Sequence, residues 1–133
     1  MNTLPCRIAV LGMGTSGLAV AHYLLDHRDA GHDLELSVYD AGVSVRLEDS
    51  AAVLDARGAR VYLGADRIDT ADLCIASPGI PPSSPLRRSA TENRVRIISE
   101  IEFAYTRSVS PWIAVTGTNG KTTVTSLVAH LLG

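Results

Sequence analysis

Two stretches of this sequence set glycines, hydroxyls and a lysine at the spacing that phosphate binding requires. The first, Gly12-Met13-Gly14-Thr15-Ser16-Gly17, fits G-x-G-x-x-G between an apolar run and a helical pattern. Glycines there let the backbone turn tightly and approach an anion, while the unpaired N–H groups of the helix start point at it. Alone the pattern is weak. Asp40, which ends the next apolar run, adds a carboxylate able to accept hydrogen bonds from a ribose or a base. The purely structural reading is that the glycines allow close helix–sheet packing and that Asp40 caps a turn. The second stretch, Thr116-Gly117-Thr118-Asn119-Gly120-Lys121-Thr122-Thr123, again separates an apolar run from a helical pattern. Its G-K-T core offers backbone donors for a triphosphate, an ammonium for the terminal phosphates and a hydroxyl for magnesium. It is shorter than G-x-x-x-x-G-K-[ST], since Val115 stands where the first glycine would fall.

Other groups carry less. Ser77-Pro78-Gly79-Ile80 follows an apolar run suited to a central strand, and open α/β sheets bind ligands at that edge; a sharp structural turn accounts for it equally well. His22, His27, His32 and His130 are dispersed, which argues against a metal or catalytic role. Glu100 and Glu102 point to different sides of a helix and read as capping or solvated groups rather than an acid/base pair. Cys6 and Cys74 lie at the edge of or inside apolar runs without metal-ligand spacing, so both are expected to be buried free thiols.

The elements that must hold these groups alternate in period. Short continuous apolar runs predict strands at 7–11, 34–39, 60–63, 73–76 and 95–98, and i, i+3, i+4 spacing predicts helices at 15–27, 45–56, 86–92 and 99–106. Gly31 breaks the first helix, Gly58 suits a left-handed cap on the second, and Ser99 with Glu102 fits a capping box on the fourth. Prolines 78, 81, 82 and 85 force a rigid turn after the fourth strand. This predicts an α/β, Rossmann-like doubly wound parallel sheet over residues 1–107 and a linker at 108–111. The strand, P-loop and helix that open a second α/β domain follow at 112–133. The apolar stripe Val124, Leu127, Val128 and Leu131 on that last helix is expected to dock on the first domain or self-associate.

Composition bounds the function classes. With 46% hydrophobic and 20% charged residues the chain folds around a core. Twelve basic against fourteen acidic residues, net −2, leave no electrostatic footprint for nucleic acid or an anionic membrane. No apolar run nears the roughly 18–20 residues of a membrane span, and the short apolar stretch after Arg7 lacks a cleavage site, so neither a membrane segment nor a secretion signal is expected.

Taken together, Gly12 to Gly17, Ser77-Pro78-Gly79-Ile80, Ser99-Glu100-Ile101-Glu102-Phe103 and Thr116 to Thr123, in this order and spacing, resemble the Mur ligase family over nearly the whole chain. The Gly117 to Thr122 loop is highly specific to Mur and related folylpolyglutamate-type ligases, and the Ser-Pro-Gly-Ile turn is most like the D-glutamate-adding branch. The resemblance implies a cytoplasmic enzyme of peptidoglycan synthesis, hence of cell shape and division, that uses ATP and Mg2+ to join D-glutamate to UDP-N-acetylmuramoyl-L-alanine through an acyl phosphate. It further implies that Gly14, Thr15, Ser16 and Gly17 face the diphosphate and Asp40 the uracil end. Gly117, Thr118, Asn119, Gly120, Lys121, Thr122 and Thr123 would bind ATP, with Lys121 as the catalytic cation at the β- and γ-phosphates and Thr122 near magnesium.

Two departures stand out. Ala41 and Gly42 follow Asp40, where the family commonly offers a hydroxyl or a basic residue for uracil. The family's further metal-binding positions and its amino-acid-binding domain have no counterpart in these residues, so the 133-residue chain alone is expected to be inactive as a ligase. Three other readings remain: another Mur ligase member, an NAD-binding Rossmann oxidoreductase domain that leaves the second loop unexplained, and a nucleotide-sugar binding module without chemistry.

Overall fold

The computed structural model describes residues 4–27 and 33–132. The expected helix break at Gly31, and His32, lie outside those residues. Ten elements follow in order: β1 (Arg7–Leu11), α1 (Thr15–Asp26), β2 (Glu35–Asp40), α2 (Val45–Ala56), β3 (Arg60–Leu63), β4 (Leu73–Ala76), α3 (Pro85–Glu92), β5 (Arg96–Ser99), α4 (Glu100–Arg107) and α5 (Lys121–Leu132). The five strands form one all-parallel sheet in the order β3-β2-β1-β4-β5. This is the Rossmann-like arrangement expected from the alternating periods.

Strand alternation sorts the core into two layers. Ile8 and Val10 join Leu36, Val38, Leu73 and Ile75 on one face, under Val20 and Leu24 of α1, Leu54 of α2 and Phe103 of α4. Ala9 and Leu11 join Tyr39, Cys74 and Ala76 on the other, under Leu86 and Ala90 of α3 and Ile68 of the β3–β4 connection. Every residue of β4 is buried, as a strand covered on both faces must be. Full burial of each large aliphatic side chain contributes roughly 1.5–3 kcal/mol, so these layers hold the strand ends in place.

Serine caps start three helices: the hydroxyls of Ser44, Ser84 and Ser99 accept from the amides of Leu47, Arg87 and Glu102. Gly58, at φ +86°, closes α2, with the Ala59 amide returning to the Leu54 carbonyl at 3.1 Å. Arg94 does the same after α3 at φ +57°, a left-handed position without a glycine.

Three expectations are corrected. Residues 112–115 form no strand, and their side chains are exposed or half-buried. A strand needs a hydrogen-bonded neighbour, and the described residues offer none beside this segment. Helix α5 forms, beginning at Lys121, but buries no residue, so of the two outcomes expected for its apolar stripe, docking on the first domain does not occur. Cys6 is exposed, because it precedes β1 at the open end of the sheet, while Cys74 in β4 is buried as expected. Among the described residues no helix is long and apolar enough to cross a membrane.

Candidate functional site

The winding of the sheet reverses between β1 and β4, so the loops leaving their carboxyl ends diverge and open a crevice. The first loop is held tightly. Gly12 turns at φ +93° and its amide donates to the Tyr39 carbonyl at 2.7 Å. The Asp40 carboxylate then ties the loop to the end of β2, accepting from the Met13 amide through Oδ2 at 2.7 Å and from the Gly42 amide through Oδ1 at 2.8 Å.

Helix α1 begins with Gly14 as an N-cap that makes no side-chain cap, and its first turn carries no acid. Its first intrahelical bond runs from the Leu18 amide to the Gly14 carbonyl at 3.0 Å. The amides of Thr15, Ser16 and Gly17 are therefore available to an anion at the positive end of the helix dipole. Gly17 has no alternative: a Cβ there would lie 1.8 Å from the Gly12 carbonyl oxygen and 2.9 Å from Ser77 Oγ.

Ser77, just past β4, forms the opposite wall. Its amide donates to the Leu11 carbonyl at 3.0 Å and its carbonyl accepts from the Ile80 amide at 3.0 Å. Its hydroxyl oxygen is buried beside Gly17 with no hydrogen-bond partner. A buried hydroxyl without a partner is costly unless something satisfies it, and this one lies at the seam where the Ser77 turn packs on Gly17. Two signals in the sequence point to it: its place after a central strand and the family resemblance of the Ser77-Pro78-Gly79-Ile80 turn.

The remaining sequence candidates are scattered. His22 meets the guanidinium of Arg57, whose other nitrogen pairs with Asp26; His27 stacks on Tyr23; His130 is exposed. Among the described residues no group of His, Cys, Asp and Glu could hold a metal ion. Glu102 pairs with Arg96 at 3.2 Å, whereas Glu100 buries Oε2 without a partner beside an apolar groove of about 500 Å3 between α1 and α4, lined by Ala19, Val20, Tyr23 and Phe103. Burial pushes the Cys74 thiol up to about 12, against the opposing charge of Arg87, and raises Tyr39, whose hydroxyl accepts from the Asp69 amide.

The second loop has the shape its glycines suggest. Gly117 and Gly120 lie at φ +149° and +75°, Lys121 Nζ folds back onto the Gly117 carbonyl, and the Val124 amide returns to the Gly120 carbonyl at 2.9 Å. The amides of Lys121, Thr122 and Thr123 thus stand free at the start of α5, and Thr118 and Asn119 are exposed.

Comparison with known proteins decides the family. The profile described as "Mur ligase MurD-like, N-terminal domain" matches residues 6–99, the span of all five strands. The chain belongs to the MurD-like Mur ligases. It is 41% identical over 128 residues to a UDP-N-acetylmuramoylalanine–D-glutamate ligase of Frankia casuarinae, an alignment covering 94% of this chain and 26% of that protein. Ligases of the same name from Desulfatibacillum aliphaticivorans and Bacillus cytotoxicus are 39% and 38% identical, each over 95% of this chain and 28% of theirs. The chain thus spans little more than a quarter of the length of these MurD-like relatives. The family profile ends before Thr116, while the aligned relatives extend across the second loop.

Proposed function

We propose that this chain is the UDP-substrate-binding part, with the first ATP-binding loop, of a ligase that adds D-glutamate to UDP-N-acetylmuramoyl-L-alanine in cytoplasmic peptidoglycan synthesis. The observation that carries the reading is the β1/β4 crevice. There the amides of Thr15, Ser16 and Gly17 are free at the start of α1, and the unpartnered hydroxyl of Ser77 lies beside Gly17. Three donors on a helix start suit a diphosphate, and Asp40 anchors the loop next to where the uridine end would lie. Residues 1–107 form this substrate domain, 108–111 a linker, and 112–133 the opening of the ATP-binding domain. Names of relatives aligned over nearly all of this chain support the substrate and amino-acid assignment.

The second loop fits ATP and Mg2+. Its two positive-φ glycines and three free amides would receive phosphate oxygens, Lys121 would swing from the Gly117 carbonyl to the terminal phosphates, and Thr122 would hold the ion. Bound magnesium would neutralise phosphate charge during transfer to the substrate carboxylate. This chain's residues would hold the triphosphate and place Lys121 where negative charge develops.

A titration of the 15N-labelled chain with UDP-N-acetylmuramoyl-L-alanine, and separately with NAD, tests the reading. Shifts at Gly14, Thr15, Ser16, Gly17 and Asp40 with the UDP compound alone support it. Shifts with NAD alone would move the site to dinucleotide binding. Mg-ATP is expected to shift Gly117 to Thr123, and Lys121→Ala to weaken that response about tenfold or more.

A further inference from the structure

Arg87, on the first turn of α3, is half-buried and unusual in its company. Among the described residues its guanidinium meets no carboxylate and makes one hydrogen bond, from Nη1 to the carbonyl of Ile80 at 3.1 Å. Ile80 is the last residue of the turn that carries Ser77. The Ile80 amide closes that turn onto the Ser77 carbonyl, and its side chain packs 3.1 Å from where a Cβ on Gly12 would stand. Ile80 thus links the guanidinium to the Ser77 turn through its backbone and to the Gly12 turn through its side chain.

We propose that Arg87 is a positioning residue for the nucleotide site. Its guanidinium holds Ile80 so that the side chain wedges against the Gly12 turn and Ser77 Oγ stays beside Gly17. The inference rests on the reading of the crevice as a UDP site and deepens it. The chemistry favours arginine here. A carbonyl facing a cation forms one of the stronger hydrogen bonds, and the long aliphatic stem lets a residue rooted on α3 reach the turn. Prolines 81, 82 and 85 stiffen the chain between them, so holding one end of the segment fixes the other. Ser84 caps α3 independently, through the Arg87 backbone amide at 3.2 Å, so loss of the Arg87 side chain leaves the helix start intact.

The test uses Arg87→Met, which keeps the stem and removes the donors, and Arg87→Lys, which keeps a cationic donor. Two readouts are taken on each: hydrogen exchange at the Ile80 amide without ligand, and affinity for UDP by titration. Arg87→Met is expected to speed Ile80 exchange at least fivefold and weaken UDP about five- to tenfold, with the far-UV spectrum unchanged. Arg87→Lys is expected to recover most of both. Unchanged Ile80 exchange in Arg87→Met overturns the proposal, as does faster exchange with unaltered UDP affinity. Equal loss in both variants also overturns it, because the retained donor then restores nothing. If the parent chain itself binds no UDP, the reading of the crevice fails, and that result is distinguishable because Ile80 exchange reports the strut without ligand.

Discussion

Gly17→Ala is the sharpest probe of how the sheet builds the crevice. The added Cβ would meet the Gly12 carbonyl oxygen at 1.8 Å, where ordinary contact begins at 3.4 Å, and the obstacle is backbone rather than a movable side chain. Relief requires the start of α1 and the β1 loop to part by roughly 1.5 Å, an overpacking worth about 1–3 kcal/mol. That movement also strains the 2.7 Å bond from the Gly12 amide to the Tyr39 carbonyl, worth about 1 kcal/mol. Alanine's better helix propensity returns at most about 1 kcal/mol. The net loss is about 1–4 kcal/mol, a fall in Tm on the order of 10 °C for a domain of this size. Gly14→Ala is the control: nothing lies within 4 Å of its Cβ and its backbone is extended at φ −69° and ψ −177°, so only about 0.5–1 kcal/mol of capping preference is at stake. Thermal and urea unfolding followed by circular dichroism read both. Equal stability of Gly17→Ala and the parent, or equal damage from the two substitutions, would refute the close-approach argument.

Asp40→Asn is expected to lose about 1.5–3 kcal/mol in urea unfolding, because one of the Met13 and Gly42 amides then faces an NH2 group. The bonds to Arg7 hold the Asp72 carboxyl below its usual 3.8. The stabilisation from that pair is therefore present above 3.8 and is lost as the pH falls through the lower folded value. Melting scans should show Asp72→Asn less stable than the parent at pH 7, with the gap closing in acid. Thiol labelling at pH 8 should modify exposed Cys6 at once and Cys74, with its thiol near 12, only on unfolding. Arg94→Gly should raise stability by about 0.5–1 kcal/mol, since glycine accepts φ +57° without the left-handed penalty.

Much of this architecture is readable from residue order, for physical reasons that also mark where reading stops. A strand buried on both faces, such as Leu73–Ala76, leaves an unbroken apolar run, and glycine or serine at its border marks the element edge. Residue 99 shows the limit: Ser99 both ends β5 and caps α4, so a pattern of apolar residues alone sets the strand one position early. The segment 112–115 has strand composition, yet pairing is a property of neighbours, and among the described residues no strand lies beside it. Cys6 shows that an apolar context does not tell depth along a strand. The unpartnered hydroxyl of Ser77 and the reach of Arg87 to Ile80 arise from loops packing against each other, which no periodicity encodes.

Asp40 bears on the choice between nucleotide readings. An acid at the end of the second strand, after G-x-G-x-x-G, favours a dinucleotide when its oxygens are free to receive the ribose hydroxyls. Here both oxygens already receive amides, at 2.7 and 2.8 Å, from the loops that follow β1 and β2. A carboxylate has lone pairs for further bonds, so contact with a ligand remains compatible, but the residue is first a brace that sets the glycine turn. Its presence therefore follows from the loop geometry whichever nucleotide binds, and it does not by itself favour NAD. What discriminates is the other wall. Ser77 Oγ lies buried against Gly17, at the foot of the helix start whose three amides are free. A ligand that satisfies that hydroxyl should lose affinity when Ser77 becomes alanine, by about 1 kcal/mol or fivefold, while the apo protein keeps its stability because the removed group had no partner. A parent-like UDP affinity in Ser77→Ala would detach the hydroxyl from the site and leave the anion-binding amides to stand alone.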